Sequence, residues 1–249
     1  MILSTPGLVL HTTNYSETSV IAKVFTRLLG VKSYIIKGVR SGRNRAKMNL
    51  LQPLSYLDMV VYNNPKTNMN YTKEMHPAQA FNNIATDSIR TSLVFFLDEL
   101  LYKSLHEEEP NPELFDYIVD CLSHIDSEPQ LSGSLPIAYL LNVARLIGIE
   151  PLDNHSHHEP LFNLKEGRFL APPSSYALQT DANVDYFLDA DTSSLLHHYL
   201  EATHTHRPYP PIPLSRRTHL TNILLYYYQV HLSDFHNFTS HQVLHAVLG

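Results

Sequence analysis

Five cations fall within eleven residues, Lys37, Arg40, Arg43, Arg45 and Lys47, with no carboxylate among them. Lysine supplies a point charge and arginine a planar fork of donors, the two means by which side chains hold phosphate oxygens. Gly38 and Gly42 interrupt any helix there and let backbone N–H groups approach a ligand. The cations follow a β-branched and aromatic run (Val31, Tyr34, Ile35, Ile36, Val39) that reads as a strand, so the segment is a basic loop leaving a sheet. Such a loop can contact a polyanion backbone; the same charges would also serve a plain solvated surface. Lys23, Arg27 and Lys32 precede it on neighbouring strands and would widen a basic face. Binding a single nucleic-acid strand also requires stacking platforms. Tyr15, Phe25, Tyr34, Tyr56 and Tyr62 lie at strand or turn positions nearby, with some of these rings expected in the core.

The formal charge of −6 conceals an asymmetry. Residues 1–80 hold ten Lys and Arg against Glu17, Asp58 and Glu74, a surplus of +7; the remainder holds 8 against 21 carboxylates, or −13. A basic module that meets a polyanion, joined to an acidic body that does not, fits that division.

Other chemistries find little support. There is no nucleophile elbow or HExxH, no paired carboxylates cluster near the basic loop, and 8 glycines in 249 residues leave little for a nucleotide-cradling loop. SETS at 16–19 precedes a strand and carries Glu17, so it is a poor phosphate loop. A divalent-metal nuclease would have to work with Asp58 and Glu74, which are too sparse. The expectation is a protein that is not an enzyme. His155, His157 and His158, followed by Glu159, pack three histidines into four loop residues, which cannot readily all face one ion. His204 and His206 fare no better, and no metal or other cofactor is expected. Cys121, the single cysteine, excludes an intramolecular disulfide and suits a reducing compartment. With no apolar run of membrane-spanning length and no signal-like N-terminus, a cytoplasmic protein is expected.

The elements that must position the basic loop come first in the chain. Five short strands, 8–13, 19–27, 31–39, 53–62 and 69–76, are separated by Asn14-Tyr15-Ser16, Gly30, the basic loop and Asn63-Asn64-Pro65. Their number and length suit a small closed barrel of the oligonucleotide-binding (OB) type; an SH3-like barrel would read much the same way. From about residue 78 the period becomes helical. Ile89 to Leu101 is amphipathic, Asn111-Pro112 opens a second helix, and Leu135-Pro136 opens a third that stops at Gly148. Residues 150–190 are irregular, with strand hints at Leu161-Phe162 and Phe169-Leu170. Helices resume at 192–203, 215–232 and 240–248, and HTHRPYPPIP (204–213) reads as an extended linker. The expected architecture is α+β: a five-stranded OB-fold barrel in a DNA-binding domain over 1–80, then an α-helical domain over 81–249 with the irregular insert.

YSETSVIAKVFTRLLGVKSYIIKGVRSGRNRAKMNLLQPLSYLDMVVY resembles the N-terminal barrel of RecO, a family of bacterial recombination mediators. The resemblance rests on SETS before the second strand, VFT ending it, a KG-x-R-S turn into a basic loop, and LQPL opening the fourth. NPELFDYIVDCL and LLNVARLIGIEP are similar to the family's helical segments. The resemblance implies a non-enzymatic DNA repair protein that binds single- and double-stranded DNA and anneals complementary strands. It further implies help in loading RecA onto DNA coated by single-strand-binding protein (SSB). The partners implied are RecR and the acidic SSB C-terminal tail, with RecA engaged indirectly. A tail of that kind needs a basic-flanked apolar notch, for which Arg145, Arg216 and Arg217 are candidates in the helical body. Many family members carry a four-cysteine zinc module after the LIGIEP-like segment. Here EPLDNHSHHEPLFNLKEGRF has no cysteine, so the metal is not carried over; Phe162, Leu164 and Phe169 would instead form an apolar hairpin packed on the helical body. The rival reading is an adaptor whose barrel and helical body dock repair proteins without touching DNA.

Overall fold

Alternation builds the barrel. The computed structural model describes residues 1–39, 45–64, 67, 69–105, 109–173 and 186–248. Strands β1 (Ile2–Asn14), β2 (Val20–Thr26), β3 (Gly30–Ile36), β4 (Tyr56–Tyr62) and β5 (Met69–Pro77) close in the order β1-β2-β3-β5-β4. Every second residue turns inward: Val20, Ala22 and Val24 of β2, Tyr34 and Ile36 of β3, and Leu57, Met59 and Val61 of β4 share one core. Gly7 of β1 is small because a Cβ there would come within 2.7 Å of Val24 Cγ1 and 2.9 Å of the Met59 sulfur. Gly30 turns β2 into β3 at φ +65°, a conformation that glycine adopts at little cost. The β3–β5 join is parallel and the other pairs are antiparallel. This is an OB-fold barrel, and the parallel join decides against the SH3-like alternative. After β3 the chain enters a five-residue helix, α1 (Arg45–Asn49).

Helices α2 (Ser88–Ser104) and α3 (Pro112–Ser127) follow. Asp87 caps α2 by accepting from the N–H groups of Ile89 and Arg90, and Asn111 caps α3 by accepting from Leu114 N–H. The Arg90 guanidinium donates to the carbonyls of Ile125 and Glu128, tying the two helices together. Phe115 of α3 meets Phe25 of β2 and Tyr56 of β4, at ring centroid distances of 5.5 and 6.1 Å. The last helix, α7 (Ser240–Leu248), groups with these elements: the Glu99 carboxylate of α2 accepts from Thr239 N–H (3.0 Å) and Ser240 N–H (2.7 Å) at its start. By its internal contacts the chain forms one compact unit of Met1–Gln130 with Thr239–Val247, and a second spanning Leu131–Phe238.

The second unit is built on α4 (Leu135–Leu146), α5 (Ala190–Thr205) and α6 (Leu214–His231). α4 ends at Gly148, whose φ of +80° turns the chain away. Tyr228 of α6 is fully buried and donates its hydroxyl to the Leu140 carbonyl, while Tyr227 donates to that of Ile149. The strand hints form a hairpin, β6 (Leu161–Asn163) with β7 (Arg168–Leu170). Phe162, Leu164 and Phe169 are buried in it, and Phe162 packs toward Tyr227 at 6.1 Å. One expectation is corrected. His204 and Thr205 belong to α5, where Glu150 Oε1 meets His204 Nε2 at 2.7 Å, and the chain leaves the helix at His206, φ +52°. Among the described residues, no helix is long and apolar enough to cross a membrane.

Candidate nucleic-acid interface

The outer surface of the barrel carries two different arcs. On β2, Lys23 and Phe25 alternate with the inward residues and face the helices. Lys23 Nζ stands 4.6 Å over the Tyr102 ring of α2, and burial lowers its pKa. Arg27, just past β2, forms a two-pronged ion pair with Asp116 of α3, both contacts at 2.8 Å. The bond from Arg27 holds the Asp116 carboxyl below its usual range. These two cations are engaged with α2 and α3.

The other arc, β3-β5-β4, holds a groove of about 570 Å³. Lys37, which follows β3, and Lys47, on α1, both line it, joined by Lys73 of β5. Tyr62 of β4 and Tyr71 of β5 lie directly opposite each other across the antiparallel pair. Val61 beside Tyr62 belongs to the core and Asn70 beside Tyr71 is buried, so the two rings stay outside, 45 % and 44 % exposed. Lys37 Nζ sits 5.0 Å from the centre of the Tyr71 ring. A bulge explains Lys73: Val60 pairs with Glu74 and Val61 with Thr72, leaving Lys73 as the extra residue that breaks the alternation. Glu74 also lines the groove, 3.4 Å from Lys73. The arrangement offers ammonium groups to phosphates and two aromatic faces to planar groups.

Of the cations expected to bind, the structure brings Lys37 and Lys47 to this groove and places Lys23 and Arg27 at the helices. Lys32 lies on β3, paired in register with Val24. Arg40 and Arg43 lie outside the described residues; Arg45 opens α1, and its side chain is likewise outside them. Among the expected platforms, Phe25 and Tyr34 are buried, and burial lifts the Tyr34 hydroxyl to about 12. Tyr56 is half-buried against Phe115, whereas Tyr15 and Tyr62 are exposed. Tyr71 and Lys73 were not expected. Their signal is faint, since MNYTKEMHP carries an exposed ring next to a bulge that hides the two-residue period.

The residues after the IGIEP segment do not fit the zinc module of the family. Asn154 occupies that region as a clasp: its Nδ2 donates to Glu159 Oε2 (2.8 Å) and the Phe169 carbonyl (3.0 Å), and its Oδ1 accepts from Phe169 N–H (2.9 Å). His155 stacks on His197 at 4.4 Å, and His197 Nδ1 is 2.7 Å from Asp153 Oδ1. Among the described residues no three His, Cys, Asp or Glu side chains are placed to hold a metal. Of the arginines considered for an acidic tail, Arg216 lies 3.9 Å from Asp191 and the Arg217 guanidinium lies against Gly133.

Comparison with known proteins agrees with the barrel and the helices. Residues 1–81 match the family model "Recombination protein O N terminal" and residues 85–163 match "Recombination protein O C terminal". The proteins named DNA repair protein RecO from Christiangramia forsetii and Flavobacterium psychrophilum are 27 % and 28 % identical, each over the whole of both chains. That of Flavobacterium johnsoniae is 29 % identical over 254 residues, again end to end. With an OB-fold barrel at its start, two family models in tandem and full-length similarity to these repair proteins, the chain belongs to the RecO family of DNA repair proteins.

Proposed function

We propose that this chain is a non-enzymatic mediator of DNA repair and recombination that binds single- and double-stranded DNA without reading its sequence. The observation that carries the proposal is the meeting of Lys37 and Lys47 in one groove. Phosphate contacts are independent of base identity. Two complementary strands screened on one cationic surface, with base edges free, would anneal without any chemical step. In the same reading the protein assists RecA loading on SSB-coated DNA in the cytoplasm, with RecR and the SSB tail as partners.

If the five cations from Lys37 to Lys47 neutralise about five phosphates, log affinity falls against log salt with a slope near −3.5 on single strands and −4.5 on duplex. The test compares the full chain with a Lys37→Ala, Lys47→Ala variant over a salt series. Loss of two contacts should weaken binding to every sequence alike and flatten the single-strand slope by about 1.4. Unchanged affinity and slope would remove the groove from the binding site. A chain that retains no DNA at low or physiological salt would instead be an adaptor.

A further inference from the structure

We propose that Tyr62 and Tyr71 form a base-stacking platform that makes the groove select unpaired strands over duplex. This rests on the groove binding nucleic acid and adds what distinguishes one form of DNA from another. The rings are cross-strand partners, and Ile2 of β1 is the partner of Tyr62 on its other side. A single row across three strands therefore exposes Ile2, Tyr62 and Tyr71 to solvent. A contiguous apolar row of this kind is a surface that a ligand can cover. The chemistry around it says which partner: among the described residues, Lys37, Lys47 and Lys73 line the same groove against one carboxylate, Glu74. A ligand that is flat, apolar on its faces and polyanionic along its backbone satisfies both features, and an unpaired nucleic-acid strand is such a ligand.

The groove has the volume of a small-molecule site (those span about 300–1,000 Å³), about that of one or two nucleotides. In a duplex the base faces are stacked on one another and only the edges reach the grooves. A ring platform therefore adds affinity for single strands alone, whereas the lysines serve both forms. Lys37 over Tyr71 fits this role. An exposed cation–π contact is weaker than base stacking, so an arriving base displaces the ammonium, which is then free to meet the adjoining phosphate.

The test uses the full chain and three fluorescein-labelled probes of equal length: oligothymidylate, an abasic tetrahydrofuran oligomer, and a blunt duplex. Tyr62→Ala and Tyr71→Ala should each weaken oligothymidylate binding on the order of ten-fold and shift the other two probes by less than about two-fold. The chain has no tryptophan, so Tyr71→Trp supplies a lone reporter on the platform. It should keep its affinity and be quenched by oligothymidylate but not by the abasic oligomer. Alanine variants that bind oligothymidylate like the parent, that lose all three probes equally, or a tryptophan that is not quenched would each overturn the platform. If the parent binds while the tyrosine variants behave like it, the platform alone falls. A parent that binds no probe takes the proposed function down as well.

Discussion

Arg27 and Asp116, 89 positions apart in the chain, meet in parallel hydrogen bonds from Nε to Oδ1 and from Nη2 to Oδ2, each 2.8 Å long. The geometry uses one edge of the guanidinium, the Nε–Nη2 fork that would otherwise engage a phosphate. A cation already matched by a carboxylate releases few counterions when DNA arrives. Arg27→Ala is therefore expected to leave the salt dependence of DNA binding unchanged, whereas removing a true phosphate contact flattens the single-strand slope by about 0.7. A flatter slope in this variant would place Arg27 in the interface after all.

The same pair shows where the sequence stops being legible. The five strands follow from alternation and turn residues, both local properties; four lie within a few residues of their expected spans, whereas β1 begins six residues earlier, at Ile2, where Pro6 and Gly7 mask the strand pattern. Asn111 and Gly148 marked their helix boundaries for the same reason. Nothing local reveals that Arg27 faces Asp116, or that Lys23 faces Tyr102, because both partners come from helices far along the chain. Tyr71 escaped notice for a different reason: the bulge at Lys73 shifts the register of β5 against β4, so the exposed face cannot be counted off by twos. Lys37, Lys47 and Tyr62 are legible from charge and strand position, whereas Tyr71 and Lys73 require the register.

Among the described residues, Glu74 is the one carboxylate lining the groove. A fixed negative charge there opposes phosphates at short range, by about 1 kcal/mol at 4 Å in water. Glu74→Gln should tighten binding by up to about five-fold at low ionic strength, fading as salt screens the interaction. Fluorescence anisotropy at two salt concentrations measures this directly. A loss of affinity would mean that Glu74 acts mainly by holding Lys73 in place, 3.4 Å away.

Asp98 on α2 predicts a pH dependence of stability. Its Oδ1 is buried without a hydrogen-bond partner among the described residues. Burial, and secondarily the charge of Glu99, raise its pKa from 3.8 to about 8. The folded protein thus keeps a proton that the unfolded chain releases. The stabilising difference is fully present below about pH 4 and is lost progressively as pH rises toward 8. Asp98→Asn removes the ionisation and should melt increasingly above the parent as pH climbs through that window. A gap in melting temperature that stays constant from pH 5 to about pH 8.5 would show that Asp98 ionises normally.

The β6–β7 hairpin raises the question of what holds together a region that many relatives are expected to staple with zinc. Phe162 and Phe169 are fully buried, 5.0 Å apart, and Phe169 also meets the edge of His155. Truncating a buried phenylalanine costs about 3–5 kcal/mol, the removed surface plus the cavity left behind. Phe169→Ala should therefore destabilise the second unit severely. Asn154 tests the polar part separately, because it answers both the N–H and the carbonyl of Phe169. Asn154→Ala strands those groups and should cost about 1–3 kcal/mol. Asn154→Asp should also destabilise, since it replaces the donating Nδ2 with an oxygen aimed at Glu159 and the Phe169 carbonyl. If packing and this clasp take the place of metal, a strong chelator will leave the melting temperature of the parent unchanged, and elemental analysis will find no stoichiometric zinc. Zinc at one equivalent, lost together with stability on chelation, would mean that histidines and carboxylates of this loop rearrange around an ion, and the account by packing would fail.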